Sequence, residues 1–240
     1  MSGMGELHLE ILKDRMSREF NVEASTGAPM VAYYETVTKA GRGEHRFDRE
    51  IGGGRQFGHV IINVSPAVRG KGNLLKIDTD RGSIPAEFRD AITDGINAGL
   101  TTGVLARYPI TDTLVTVVGG SFEPDISTEV AFRSASLMAL KDAIIDANPQ
   151  LLEPIMMVEI ATPSEPMGDV MGDLNGRRGK IRELVARDSC QIIHALVPLA
   201  ELFGYATVIR SLSRGRASYV LEPTQFEIVP DEIREKLLNR

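Results

Sequence analysis

The chain has 240 residues, 42% of them hydrophobic and 25% charged, which is enough for one large or two ordinary folded domains. Its net charge of −6 argues against a simple RNA-coating protein, although basic loops on an acidic body can still meet RNA. The sequence contains no long apolar run and no signal or transit peptide, so we expect no membrane partner. The single cysteine, Cys190, excludes an internal disulfide framework and suits a cytoplasmic protein.

The chain opens with a predicted helix, because apolar residues recur at helical spacing at Leu9, Leu12, Met16 and Phe20. Little precedes this helix that could bury its apolar stripe. We therefore interpret residues 1–24 as the C-terminal remnant of a domain, and we expect the stripe to be partly exposed, packed on a neighbour or disordered.

Residues 25–152 are predicted to form a mixed α/β domain. Its strands are expected at Val31–Thr38, His59–Ser65, Leu74–Thr79 and Thr113–Val118. One helix is expected from Ser83 to about Gly99, and another runs through Phe132 and Ile144 to Asn148. Two loops stand out. The first is a Gly/Arg-rich segment of about twenty residues before His59, longer than ordinary hairpin connections, and the second is GGSFEPDIST at 119–128.

Residues 153–228 follow the order β-α-β-β-α-β, which is ferredoxin-like. The predicted elements are, in order, Ile155–Ala161, Pro166–Leu174, Lys180–Arg187, Gln191–Val197, Leu199–Leu212 and Ala217–Phe226. The Glu153–Pro154 pair marks the expected joint with the preceding domain. Residues 229–240 are predicted to form a terminal helix.

The sequence carries none of the common motifs of catalysis or metal binding. No GxxxxGK[ST] phosphate loop occurs, and the four histidines with one cysteine give no zinc-binding spacing. We therefore predict no catalytic residue, no metal ligand and no cofactor in this chain. Glu123 and Asp125 could form an acid–base pair, but helix capping by Asp125 or Ser127 is the favoured interpretation.

The Gly/Arg-rich segment allows two interpretations. Glycines at 52–54 let a backbone approach another surface closely, and arginines in the same segment can read phosphates through their planar forks. Alternatively, this is a solvated loop in which Asp48 and Glu50 partly cancel the charge. The same two interpretations apply to the turns at Arg177–Arg178 and Arg214–Arg216.

Long collinear strings resemble one family, translation elongation factor G. They are GMGELHLEIL at 3–12, GRQFGHV at 54–60, LLEPIMMVEIATP at 151–163, GDVMGDLNGRRG at 168–179 and VPLAELFGYATVIRSLSRGRASY at 197–219. The resemblance covers nearly the whole chain.

The resemblance implies an α+β architecture. Residues 1–24 would end domain III, and 25–152 would be domain IV, a ribosomal protein S5 domain 2-like α/β fold with a left-handed βαβ crossover. Residues 153–228 would be the ferredoxin-like domain V, and 229–240 would pack back on domain IV.

The resemblance also implies a function. The arm would enter the decoding centre of the ribosome, contact ribosomal RNA, ribosomal proteins and the tRNA–mRNA pair, and promote translocation as a monomer. The parent would be a GTPase that binds GTP and magnesium in N-terminal domains outside this sequence, so that the present chain is not itself an enzyme.

Site residues carried over by the resemblance form three groups. Tip loop 1 falls on Gly52, Gly53, Gly54, Arg55 and Gln56. Tip loop 2 falls on Ser121, Phe122, Glu123, Pro124 and Asp125. Contacts of domain V with ribosomal RNA fall on Arg177, Arg178 and Arg216.

Two departures from the family pattern suggest a divergent paralogue. The familiar Ser-Gly-Gly-Arg-Gly-Gln order becomes Ile-Gly-Gly-Gly-Arg-Gln at 51–56, and Glu123 stands where the family carries a histidine. A carboxylate beside RNA phosphates should repel them. An alternative function is therefore ribosome recycling, or protection of the ribosome from a bound drug.

Overall fold

The computed structural model describes four ranges of the chain, 6–22, 31–79, 83–187 and 190–238. They fall into two compact units. The first unit is Tyr33–Leu152 with the segment from Glu227 onward, and the second is Glu153–Phe226 with the N-terminal segment up to Ala32. None of the described helices is long and apolar enough to cross a membrane.

The described elements alternate along the chain. The strands are β1 (Tyr34–Val37), β2 (Gly41–Ile51), β3 (Gly54–Pro66), β4 (Leu74–Ile77), β5 (Thr113–Ser121), β6 (Pro149–Thr162), β7 (Lys180–Arg187), β8 (Cys190–Pro198) and β9 (Ser218–Ile228). The α-helices are α1 (Glu6–Phe20), α2 (Arg89–Thr102), α3 (Glu129–Asp146), α4 (Met167–Gly176), α5 (Tyr205–Leu212) and α6 (Asp231–Leu238). Short 3₁₀ turns precede α2 and α5, at Ala86–Phe88 and Leu199–Glu201.

The first unit is built on a four-stranded sheet in the order β2-β3-β5-β4. Strands β2, β3 and β5 are antiparallel neighbours, whereas β4 runs parallel to β5 and reaches it through α2. The handedness of this crossover stays a prediction. Strand β1 pairs instead with the start of β6.

The predicted twenty-residue loop before His59 is wrong. Residues 41–51 and 54–66 form the two long strands of one hairpin, paired from Gly41–Val64 to Ile51–Gly54. Near the tip, most positions of β2 are solvent-exposed, so the strand lacks the apolar alternation by which a strand is normally recognised. Strand β3 therefore begins at Gly54, well before the predicted start.

Helix α3 lies directly on the hairpin because the side chains on both contacting surfaces are small. A fully buried alanine stripe follows its inner side, at Ala131, Ala135, Ala139 and Ala143. A Cβ added to Gly43 of β2 would lie 2.0 Å from the carbonyl oxygen of Ala139. Glycine on the strand and alanine on the helix thus set a separation that larger side chains would not permit.

Glu35 of β1 holds the loop between α2 and β5 in the first unit. Its carboxylate is fully buried and accepts hydrogen bonds from the backbone N–H groups of Val104, Leu105, Ala106 and Tyr108, at 2.7–3.2 Å. Four backbone hydrogen bonds satisfy the oxygens of this buried group. This single side chain therefore anchors the loop between α2 and β5.

The second unit is ferredoxin-like, as predicted. β6 lies between β8 and β9, and β7 completes the order β9-β6-β8-β7, with β6–β8 and β7–β8 antiparallel. Its core joins sheet residues such as Val158 and Ile193 to Leu174 of α4 and Tyr205 of α5. The predicted helix Leu199–Leu212 is divided, because Gly204 takes a left-handed conformation with φ +71°.

Helix α1 carries exposed apolar residues. Phe20 is 70% exposed and Ile11 is 50% exposed, while Leu12 and Met16 are half-buried. The side chain of Leu9 lies outside the described residues. Partial exposure of the predicted stripe is therefore confirmed at Leu12 and Met16.

Candidate nucleic-acid interface

The hairpin of the first unit ends in a turn of two glycines. Gly52 and Gly53 have φ values of +65° and +82°, and they connect the paired residues Ile51 and Gly54. Positive φ at both central positions is the type I′ pattern, which matches the twist of the flanking strands. A Cβ added to either glycine would meet nothing within 4 Å, so this end of the hairpin is bare backbone facing open space.

The structure corrects the predicted extent of both tip loops. Of tip loop 1, only Gly52 and Gly53 form the turn, whereas Gly54, Arg55 and Gln56 belong to β3. In tip loop 2, Ser121 is the last residue of β5. The physical reason is the same in both cases, because exposed strand ends carry polar residues and glycines that resemble loop composition.

Tip loop 2 is fastened to the hairpin through Phe57, which is 1% exposed. The backbone N–H of Phe57 donates to the carbonyl of Ile126 at 2.9 Å, and the N–H of Thr128 donates to the carbonyl of Phe57 at 3.4 Å. Within the loop, the N–H of Glu123 donates to Ser127 Oγ at 2.9 Å. The structure therefore brings the two predicted tip segments together as one surface.

The predicted capping of α3 by Asp125 or Ser127 is wrong. Thr128 is the N-cap, and its Oγ1 accepts a hydrogen bond from the N–H of Ala131. Ser127 instead receives the N–H of Glu123, and Asp125 takes a left-handed conformation with φ +70° that its short polar side chain tolerates. The cap lies later because the loop must close on Phe57 before the helix begins.

Four charged side chains form a cluster behind the tip turn, which we call the tip charge cluster: Arg46, Asp48, Arg55 and Glu123. Arg55 donates to both carboxylate oxygens of Asp48, from Nε at 2.8 Å and from Nη2 at 2.9 Å. Arg46 Nη2 lies 3.4 Å from Asp48 Oδ2 and 3.4 Å from Glu123 Oε1. Two cations and two anions therefore neutralise one another at the tip.

The cluster lies on the sheet face that is turned away from α3. Gly43 and Gly58 touch that helix, so their neighbours along each strand point to the opposite face. The Arg46 guanidinium also lies over the Phe57 ring, 4.8 Å from its centroid. Hydrogen bonds from Arg55 hold the pKa of Asp48 below its usual value, so the Asp48 carboxylate stays ionised into acidic solution.

A hydrogen-bonded chain on the same face was not predicted. His59 Nδ1 lies 2.9 Å from Ser121 Oγ, and His59 Nε2 lies 3.0 Å from Glu44 Oε1. The chain joins β2, β3 and β5 side by side just behind the tip. The register of β3 and β5, in which His59 pairs with Ser121, would have indicated this chain. The sequence analysis did not predict that strand pairing.

The predicted arginines of the second unit are held by carboxylates. Arg178 donates to both oxygens of Glu153 at 2.7 and 2.9 Å and to Glu201 Oε1 at 3.0 Å, and its side chain is 25% exposed. Arg177 donates to Asp173 at 2.8 Å and lies over the Tyr205 ring. These arginines therefore tie α4 to neighbouring elements.

Arg216 is more open. Its side chain is 45% exposed, and its Nη2 lies 2.7 Å from Glu165 Oε2. Arg214 approaches the same carboxylate at 3.9 Å. The hydrogen bond from Arg216 lowers the pKa of Glu165. Among the described residues, no group of three or more His, Cys, Asp and Glu side chains is arranged to hold a metal ion.

Three families match consecutive stretches of the chain. Residues 1–28 match "Elongation Factor G, domain III", residues 29–148 match "Elongation factor G, domain IV", and residues 150–237 match "Elongation factor G C-terminus". The chain belongs to the elongation factor G family. The first unit, with its tip, thus corresponds to most of the domain IV match, and the Glu153–Phe226 part of the second unit lies within the C-terminal match.

A crystal structure agrees with this assignment. It is of a protein from Thermus thermophilus that is 33% identical to this chain and superposes with a TM-score of 0.83. The match covers 99% of this chain and 35% of the Thermus chain, so the present sequence spans about a third of that relative. The chain is a C-terminal region of a translation elongation factor, and the matched domains do not include the GTPase domain.

Proposed function

We propose that this chain is the ribosome-contacting arm of a translocase, and that its tip enters the decoding centre during tRNA–mRNA movement. The observation that carries the proposal is the turn at Gly52–Gly53, a bare backbone end on a long, regularly paired hairpin. A regularly paired hairpin can transmit force along its length. Its end carries no side chains and can therefore enter a narrow space between RNA strands. Backbone N–H groups can donate there to phosphate and sugar oxygens.

The neighbouring loop supports the same role. Phe122 and Glu123 lie beside the hairpin because Phe57 holds their loop in place. Arg46 and Arg55 stand behind the turn and could exchange their carboxylate partners for phosphates. In the second unit, Arg216 is the more accessible of the predicted RNA contacts, and Arg177 and Arg178 would contribute through the turn that they stabilise.

We infer that this chain belongs to a longer parent protein. It would be a cytoplasmic, monomeric GTPase whose GTP and magnesium are bound by domains outside this sequence. Hydrolysis there would drive the arm, and this chain would supply shape and RNA contacts. Its partners would be ribosomal RNA, ribosomal proteins and the tRNA–mRNA pair.

A tethered-probe experiment tests the placement of the tip. An iron chelate that generates hydroxyl radicals would be attached at Gly54→Cys in a full-length parent freed of other cysteines, including Cys190. Gly54 suits the probe because a Cβ there meets nothing within 4 Å and its φ is not positive. The control site is Val68→Cys, which is 71% exposed just beyond the other end of β3.

We expect the probe at position 54 to cleave decoding-centre RNA of the small subunit in factor-bound ribosomes, and the probe at position 68 to leave that RNA intact. Cleavage of the same RNA from both positions, or from neither, would contradict the proposed placement.

Glu123 favours a second candidate function, in ribosome recycling or ribosome protection. A carboxylate at this position is unsuited to phosphate contact, although Arg46 partly neutralises it. The Glu123→His variant of the parent discriminates between the two functions. Faster mRNA movement by the variant would support the translocase with a weakened tip, whereas no gain together with unchanged ribosome splitting or drug displacement would support the specialised paralogue.

A further inference from the structure

We infer that Asp48 is a specificity-determining residue that masks the tip arginines, so that the arm avoids RNA other than its proper site. The inference rests on the proposed contact between the tip and RNA. It concerns the state of the tip before that contact, and it turns on one carboxylate that serves both cations of the tip charge cluster.

The geometry favours masking over a role in stability. Asp48 receives two hydrogen bonds from Arg55 in the bidentate arrangement, which is the strong and directional form of this pair. The side chains of Arg55 and Arg46 are 53% and 58% exposed, so the hairpin does not need them for its core. Exposed ion pairs of this kind contribute little to folding. Their main effect is on what the tip presents to solvent.

The tip presents no net charge from this cluster, because Asp48 and Glu123 balance Arg46 and Arg55. An unpaired arginine gains RNA affinity by displacing counterions from any phosphate, whatever the sequence or shape of the RNA. A paired arginine must first exchange its carboxylate, and it recovers that cost only where several contacts form at once. The masked tip therefore binds weakly to general RNA and selectively to a site that fits the whole tip.

Asp48 is distinguished from a nearby carboxylate on the same strand. Glu50 lies two residues further along β2 and faces Arg55 in the strand register, yet within the described part of the chain it makes no ion pair with an arginine. Removing the charge of Asp48 or of Glu50 changes the net charge equally, but only the first change unmasks an arginine. Glu50→Gln is thus a matched control for Asp48→Asn.

The test uses the 240-residue chain and a fluorescently labelled, non-ribosomal RNA duplex, with binding followed by anisotropy across a salt series. Asp48→Asn should tighten duplex binding and steepen its salt dependence. One additional phosphate contact steepens the logarithmic slope by about 0.9, which corresponds to about 3.5-fold more affinity gained between about 200 and about 50 mM salt. Glu50→Gln should leave the slope unchanged, and adding Arg55→Gln to Asp48→Asn should remove most of the gain.

Equal gains in duplex affinity for Asp48→Asn and Glu50→Gln would overturn the inference in favour of net charge alone. An unchanged duplex affinity in both variants would also overturn it, because removing the Asp48 charge would then expose no arginine to RNA. Ribosome binding by the parent is measured in parallel. If Asp48→Asn gains duplex affinity while the full-length parent binds no ribosomes, with or without this substitution, masking stands and the proposed function fails. If the full-length parent binds ribosomes with and without this substitution, and Asp48→Asn gains no duplex affinity, the proposed function stands and masking fails.

Discussion

The guanidinium of Arg46 lies 3.4 Å from Glu123, and this ion pair joins β2 to a loop 77 residues away in the sequence. The ion pair changes the charge that the Glu123 carboxylate presents at the tip. As an isolated charge, Glu123 would repel phosphates, but beside Arg46 it belongs to a neutral cluster. The carboxylate that the sequence resemblance singled out is thus accompanied by an arginine placed to balance it.

Arg46→Gln should leave the loop docked. The contact is exposed, so we expect the free energy of unfolding to fall by less than about 1 kcal/mol. The backbone bonds of Phe57 should keep the loop in place, and hydrogen exchange at the Phe57 amide measures this directly. Arg42→Gln, on the same face of β2, is the control. Loss of Phe57 protection in Arg46→Gln alone would show that the ion pair, and not the backbone, holds the loop.

Gly52→Asn should impair the tip without unfolding the hairpin. Asn-Gly is a favoured type I′ turn, so the strand pairing should persist while a side chain now projects from the bare end. We expect a severalfold loss in the rate of mRNA movement with the parent. Gly70→Asn makes the same change at another positive-φ glycine with open surroundings. Equal activity of the two variants would contradict a backbone contact at the tip.

Gly43→Ala should destabilise the first unit by about 1–3 kcal/mol, because its Cβ would be forced against the backbone of α3 at Ala139. Gly54→Ala, with open space around its Cβ, should change stability by less than about 0.5 kcal/mol. Urea unfolding followed by NMR signals of Val60 and Ile92 reports on this unit. A similar cost at both positions would point to strand propensity as the cause.

Glu35→Ala should lower the free energy of unfolding by at least about 3 kcal/mol, since four backbone N–H groups would lose their buried acceptor. The same NMR-monitored unfolding measures the effect, with the exposed Glu50→Ala as its control. Stability close to that of the unaltered chain would mean that water replaces the carboxylate in the loop.

Arg178→Ala and Arg216→Ala should distinguish an arginine that stabilises the fold from one that contacts RNA. Removing Arg178 leaves Glu153, which is 4% exposed, without its bidentate partner, and we expect a loss of about 3 kcal/mol in the second unit. Removing the exposed Arg216 should cost less than about 1 kcal/mol but weaken ribosome binding. Chemical denaturation followed at Val158 and Ile193 gives the first quantity, and pelleting with ribosomes gives the second. The opposite ranking in both assays would reverse these roles.

The sequence predicted the ferredoxin-like unit well because its elements are short, alternate clearly and are separated by glycine- and proline-containing turns. It failed at the β2–β3 hairpin, where exposed polar residues near the tip hide the period of two. Gly52–Gly53 was the available signal, since two glycines between paired strands favour a type I′ turn. Reading these glycines as a flexible surface loop missed the strand pairing that they make possible.

The candidate site could be located from the sequence but not assembled. The strings around Gly54–Val60 and Arg177–Arg178 indicate the segments on which the proposed contacts rest. The partners of these arginines could not be foreseen, because Glu123 reaches Arg46, and Glu153 reaches Arg178, only after the chain has folded. Pairing across the fold decides which arginine is held by a buried carboxylate and which stays largely exposed.

Single-round translocation on pre-translocation ribosomes tests most directly whether this arm moves tRNA and mRNA. The full-length parent would be mixed with GTP and ribosomes carrying a fluorescent mRNA. We predict that the mRNA advances by one codon at a catalytic rate, and that the Gly52→Asn variant slows this step more than Gly70→Asn does. Factor binding and GTP hydrolysis with a stationary mRNA would contradict the claim and assign the arm to the specialised paralogue.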